Sequence, residues 1–207
     1  PWRSGEAIWC AFDHGSIAGR RFGGMGFVDY FRLPKRQWFW YRNEYLKIPP
    51  PEWPKAGVAA GLKLTADKTR LTAIDGTDDL QLIVTVVDKD GQALNNCPPV
   101  KLTIESGPGE FPTGPSILFE ANSDITIRDG QAAMAFRSYH AGKTLIRATS
   151  PGLQDATIEI ESLGETKFIT GVTPTVQPRP YERFVAEDKA GTTITAGRNN
   201  PTRTSSE

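Results

Sequence analysis

The 207-residue chain sets 24 Lys and Arg against 24 Asp and Glu, for a formal net charge of zero. A neutral chain lacks the electrostatic footprint of a nucleic-acid or anionic-membrane binder, and no apolar run reaches the roughly 20 residues of a membrane span. Two cysteines, Cys10 and Cys97, and two histidines, His14 and His140, stand singly, which argues against a disulfide framework and gives no metal-ligand spacing.

All five Trp lie at or before Trp53, so the chain does not read as one uniform domain. Below about 40 residues a lone core is rarely sufficient, so this aromatic segment is expected to pack against protein outside the chain. Ile8 to Phe12 is a short apolar run closed by Asp13-His-Gly15, the pattern of a buried strand entering a loop. Gly15, Gly19, Gly23, Gly24 and Gly26 predict that the loop continues to Gly26. It lacks the Lys-Ser/Thr ending of a phosphate loop, so no nucleotide cofactor is expected. From Pro34 a helix is predicted, with Trp38, Tyr41 and Tyr45 on one face, and Pro49-Pro-Pro51 and Pro54 stop it.

From about Leu62 a period of two takes over. Leu80, Leu82, Val84 and Val86 mark one strand face, and Asp88-Lys-Asp-Gly91 a turn. Val100, Leu102 and Ile104, then Ile117 to Phe119, then Ile125 and Ile127 continue the alternation. Asp129-Gly130 is a second turn, followed by Ala132, Met134 and Phe136, by Ile146 and Ala148, and by Ile158 and Ile160. About seven short strands in about 100 residues predict a mainly β protein built on an immunoglobulin-like antiparallel β-sandwich. Beyond Leu163 the pattern dissolves around Pro174, Pro178 and Pro180, which predicts an extended connection without a sheet.

Three blocks carry a family resemblance: Glu6-Ala-Ile-Trp-Cys-Ala-Phe-Asp-His14, Met25-Gly-Phe-Val-Asp29, and Phe31-Arg-Leu-Pro-Lys-Arg36 with the aromatic helix after it. They resemble the last strand, loop and helix of the catalytic (β/α)8 barrel in glycoside hydrolase family 2, the bacterial β-galactosidase family. Ile104-Glu-Ser-Gly-Pro-Gly-Glu-Phe-Pro112 and Phe136-Arg-Ser-Tyr139 are similar to its following immunoglobulin-like domain. Asn200-Pro-Thr-Arg-Thr-Ser-Ser206 resembles the opening of a discoidin-like carbohydrate-binding domain. The resemblance implies a barrel end over 1–46, a Pro-rich linker over 47–59, a sandwich over 60–163, a linker over 164–198 and the start of a further domain over 199–207.

It also implies a retaining glycosidase cleaving terminal β-linked sugars, most simply galactosides, with two carboxyl groups about 5–5.5 Å apart. Both would be glutamates upstream of Pro1, so this segment should be inactive alone. Its partners would be a carbohydrate and the rest of the same polypeptide, in a secreted or periplasmic bacterial enzyme without cofactor or metal. Trp9 would form one wall of the sugar site, its indole covering the flat C–H patch of a ring. Asp13 and His14 close the same strand, and their expected part is support of the next loop rather than acid–base work.

Other candidates have plainer readings. Glu6, Asp29 and Glu44 lack a carboxylate partner at fixed geometry, while Arg32, Lys35 and Arg36 fit a helix start whose long side chains cover ring faces. His140 fits a surface turn, and Asp88, Asp90 and Asp129 lack calcium-ligand spacing. The rival from another class is a non-catalytic bacterial surface or spacer protein of immunoglobulin-like repeats. The Trp-rich helix before Pro49, where such a repeat would carry another sandwich, discriminates against it.

Overall fold

The computed structural model describes residues 9–18, 21–23, 25–120, 125–179, 182–187 and 193–198, with 14–18, 21–23 and the last two segments described as backbone. The chain divides into two compact units, Pro1–Trp53 with Glu182–Glu207, and Pro54–Tyr181. No helix among the described residues is long and apolar enough to cross a membrane.

In the first unit, β1 (His14–Ala18) and β2 (Arg21–Gly23) form an antiparallel hairpin where the glycines predict loop. The predicted strand from Ile8 to Phe12 is replaced, over its described residues, by an irregular segment with a single bridge from Phe12 to Val28. Helix α1 (Arg36–Leu46) follows. Pro34 precedes it rather than opening its first turn, because Lys35 is the N-cap; Lys47 ends it in the left-handed region, its N–H donating to Asn43 O. The aromatic spacing is realised as stacked Tyr41 and Tyr45 rings, with centroids 6.3 Å apart, and no residue of α1 is buried among the described residues. The proline-rich tail, predicted to lack a sheet, contains an antiparallel hairpin of β11 (Glu182–Glu187) and β12 (Thr193–Arg198). Glu6, and the discoidin-like resemblance over 199–207, lie outside the described residues.

The second unit is the β-sandwich. One sheet joins β3 (Gly61–Ala66), β5 (Leu80–Val87) and β8 (Gln131–Phe136) in antiparallel order β3-β5-β8. The other takes β4 (Arg70–Leu71), β6 (Val100–Ser106), β7 (Ser116–Phe119), β9 (Gly142–Thr149) and β10 (Ala156–Ser162) in the order β4-β10-β9-β6-β7, with β4 parallel to β10.

Alternation decides which face is buried. Leu80, Leu82, Val84 and Val86 from one sheet and Val100, Leu102, Ile146, Ala148 and Ile160 from the other are fully buried. Each Leu, Val and Ile among them contributes roughly 1.5–3 kcal/mol on leaving water. Phe111 and Phe136 meet edge to face at 5.9 Å between centroids and close one part of this core. Ile125 and Ile127, predicted to share the strand ladder, are buried outside any strand.

The outward faces carry charge. Arg147 on β9 makes a two-pronged pair with Glu105 on β6, at 2.5 and 2.8 Å, and reaches Asp155 at 3.3 Å. Lys143 pairs with Glu159, and Arg70 with Glu161, across the same sheet. Asp129 and Gly130 both take positive φ, +47° and +74°, between paired Arg128 and Gln131, the geometry a two-residue hairpin turn requires.

The chain after β10 stays on the sandwich. Phe168 N–H donates to Ala141 O at 2.9 Å and Ala141 N–H to Thr166 O at 2.7 Å. Further on, Arg179 donates from its backbone to Thr113 O, and from its guanidinium to Phe111 O and Pro112 O, and pairs with Glu110 at 3.0 Å. Residues 169–178 therefore form a strap tied at both ends. A Cβ on Gly114 would fall 2.5 Å from Gln177 O, so this glycine lets the strap approach the loop.

Candidate functional site

Of the candidate residues of the first unit, the structure ties Asp13 to Lys35, four residues after Trp9. The Trp9–Cys10 peptide is cis, and Trp9 is 72% exposed. From there the backbone runs beside the 27–28 segment. Phe27 N–H donates to Cys10 O, Val28 N–H to Ala11 O and Asp13 N–H to Val28 O, at 2.9–3.1 Å. Gly26 is needed at this crossing, since a Cβ there would fall 2.1 Å from both Asp13 N and Phe12 C.

Asp13 is buried, and its Oδ1 accepts from Gly26 N–H at 2.8 Å and from Lys35 Nζ at 2.5 Å. The carboxylate thus ties the loop and the start of α1 to the Trp9 segment. Its Oδ2 is buried with no hydrogen-bond partner among the described residues. Lys35, read from the sequence only as a ring-covering cation, is the missing member of this corner. It stands 22 positions from Asp13, and no local periodicity links the two. His14 opens β1, and its side chain lies outside what is described.

Asp29 shapes the following turn, with Oδ1 accepting from Phe31 N–H at 2.8 Å and Leu33 N–H at 2.9 Å. Beyond it, the cations cover rings as their spacing suggests. Arg36 lies 5.0 Å from the Trp53 ring centroid, and Arg42 lies 5.2 Å from Trp38 and 5.1 Å from Phe39. Phe39 and Trp53 meet edge to face at 5.2 Å. Phe12, Trp40 and Tyr45 are exposed. The structure thus gives an exposed indole at Trp9 and, four residues further on, a buried carboxylate paired with Lys35.

Perturbed ionisation in the described residues belongs to the sandwich. A hydrogen bond from Lys68, with Thr72 N–H and hydroxyl donating as well, holds Asp78 down at about 2. The Thr77 hydroxyl and N–H lower Asp75, and the Arg147 guanidinium lowers Glu105. These are loop and surface ties. Asp88 likewise caps its own turn, accepting from Asp90 N–H and Gln92 N–H at 2.9 Å. Among the described residues no group of three His, Cys, Asp or Glu side chains is placed to hold a metal ion.

Comparison with known proteins places the fold. A beta-glycosidase from Bacteroides vulgatus aligns over 73% of this chain and 30% of its own, with a TM-score of 0.58 at 13% identity. At that identity the likeness shows a shared fold. A glycosyl hydrolase family 2 member from Bacteroides cellulosilyticus aligns over 53% of this chain and 15% of its own, at TM-score 0.44 and 22% identity. The D00-D0 domain of Intimin aligns over 52% and 50%, at TM-score 0.40 and 24% identity. The chain therefore spans less than a third of either glycosidase. No family model and no curated protein matches the sequence.

Proposed function

We propose that this chain is part of a retaining glycoside hydrolase acting on terminal β-linked sugars, with β-galactosides as substrates. In this reading the first unit supplies the end of the catalytic barrel and the sandwich is an accessory domain. The observation that carries it is the corner itself: an exposed indole at Trp9, on a backbone fixed four residues later by the buried Asp13–Lys35 pair. The fold shared with a beta-glycosidase supports the same reading.

Mechanistically, the indole face would pack on the C–H side of the sugar and leave the hydroxyls to other groups. Asp13, with one oxygen engaged by Gly26 and Lys35, would be a positioning residue that keeps the Trp9 segment in register. The proton donor and nucleophile would be the two glutamates expected upstream of Pro1.

The test is Trp9→Ala in the enzyme that carries this chain. Turnover efficiency on an aryl β-galactoside should fall by about tenfold to a hundredfold, the worth of about 1.4 to 2.7 kcal/mol of transition-state contact, with the melting temperature unchanged. Normal efficiency accompanied by a melting temperature several degrees lower would make Trp9 a packing residue and remove the support for the site.

A further inference from the structure

Between the strap and the end of the five-stranded sheet lies a cavity of about 630 Å3. That lies within the range of about 300–1,000 Å3 typical of small-molecule sites. Its floor is the turn Gly107-Pro-Gly109, its walls are Tyr139, His140 and Phe168, and its rim is the strap from Thr170 to Val176. We infer that this groove binds a neutral oligosaccharide, at a site separate in sequence and in unit from the Trp9 corner.

The lining is fixed before any ligand arrives. Gly142 has no side chain, and a Cβ there would lie 3.3 Å from Pro108 and 3.5 Å from Phe168, so floor and wall close together around it. Tyr139 is set from two directions. Arg137 lies 5.3 Å from its ring centroid, and Gly76, at φ +87°, comes so near that a Cβ would be 3.1 Å from the Tyr139 hydroxyl. The ring nevertheless remains 42% exposed. His140 is held by its backbone, whose N–H donates to the Ser138 hydroxyl while its carbonyl accepts from that hydroxyl. Its imidazole is half-buried and has no hydrogen-bond partner among the described residues. Preorganisation of this kind lowers the cost of binding.

The chemistry of the lining selects the ligand. The Thr170 and Thr175 hydroxyls also have no partner among the described residues, and the Thr173 hydroxyl accepts from Ile169 N–H with its own proton left to donate. Hydroxyls, an imidazole and two aromatic rings match a sugar, which shows hydroxyls at its edges and C–H groups on its faces. The two carboxylates of the lining are already engaged, Glu105 by Arg147 and Glu110 by Arg137 and Arg179. The described lining carries no Lys or Arg for an anionic ligand. Nor does it offer a peptide a long strand edge: β6 is paired with β9, and on its other side with β7 from Val100 to Thr103 and through Ile104 N–H to Pro115 O.

The experiment is a titration of the 207-residue chain with lactose, cellotriose and galactotriose, following the His140 and Tyr139 ring resonances by NMR. At least one saccharide should shift both resonances in a saturable manner. His140→Ala should weaken that binding about tenfold, the worth of a hydrogen bond to the ligand. Its melting temperature should not change, since the imidazole has no hydrogen-bond partner among the described residues. Trp9→Ala should leave the dissociation constant where it is, which separates this site from the glycosidase reading. The inference is overturned if no saccharide moves these resonances, if a proline-rich peptide moves them and the saccharides do not, or if His140→Ala binds as the unaltered chain does. It is also overturned if Trp9→Ala abolishes the binding, a result that would leave the proposed glycosidase site standing.

Discussion

Lys35 is the cation on which the buried Asp13 depends. The Asp13 side chain is 1% exposed and the Lys35 side chain 16%, so water replaces little of the pair if the amine is removed. Lys35→Met should destabilise the first unit by about 3–5 kcal/mol, the usual cost of stranding one member of a buried pair, with Asp13→Asn in the same chain recovering part of the loss. All five Trp lie at or before Trp53, so the shift reads directly in denaturant unfolding followed by tryptophan fluorescence. At Asp78 the lever is pH. Its carboxyl is held at about 2 in the folded state against an ordinary value of 3.8, so its stabilisation is full above the ordinary value and is lost as pH falls toward 2. Asp78→Asn should flatten the drop in melting temperature of the sandwich between pH 4 and pH 2; an unchanged acid limb would assign that drop to other carboxylates, Asp75 and Glu105 first.

The strand element β6 ends at a bulge against β9, between Ile104 and Ser106, and the chain turns there through Gly107 at φ +89°. A Cβ at Gly107 would lie 2.0 Å from Lys143 O, so the sheet can close over this turn only if the carbon is missing. Gly107→Ala should cost the sandwich about 2–4 kcal/mol, combining backbone strain with a forced shift of β9, and a urea midpoint followed by circular dichroism measures it. The strands of the sandwich were legible in the sequence because each buries one face: Leu80 to Val86 alternate in burial and, Ile83 apart, in polarity. The turn at Asp129-Gly130 was legible for the same local reason. Elements without such a face were not. The β1–β2 hairpin carries glycines that read as loop, and β11–β12 alternates mostly small and polar residues after a run of prolines. Ile125 and Ile127 misled in the other direction, because burial without a ladder leaves the same period in the sequence. At the candidate site, Trp9 and Asp13 could be singled out from their motif, whereas the Lys35 tie depends on a fold contact between distant residues.

At the scale of the molecule, the sandwich has its own closed core, so residues 54–179 should unfold cooperatively by themselves, with a β-type spectrum. Residues 58–164 keep both sheets and lose the strap. They should melt several degrees lower, because Phe111, Pro112 and Thr113 then lose the donors of Arg179 and the 110–114 loop loses its cover. Equal melting of the two would make the strap a passenger. The strap also bears on how the protein survives a protease. Its arch from Ile169 to Val172 is exposed, with a positive-φ glycine at 171, the kind of site proteases nick first. Yet the chain is held on both sides of that point, by Ala141 before it and by the four Arg179 contacts after it. A single cut there breaks a covalent bond without releasing an end: the two pieces travel together under native conditions and separate only when the protein is unfolded.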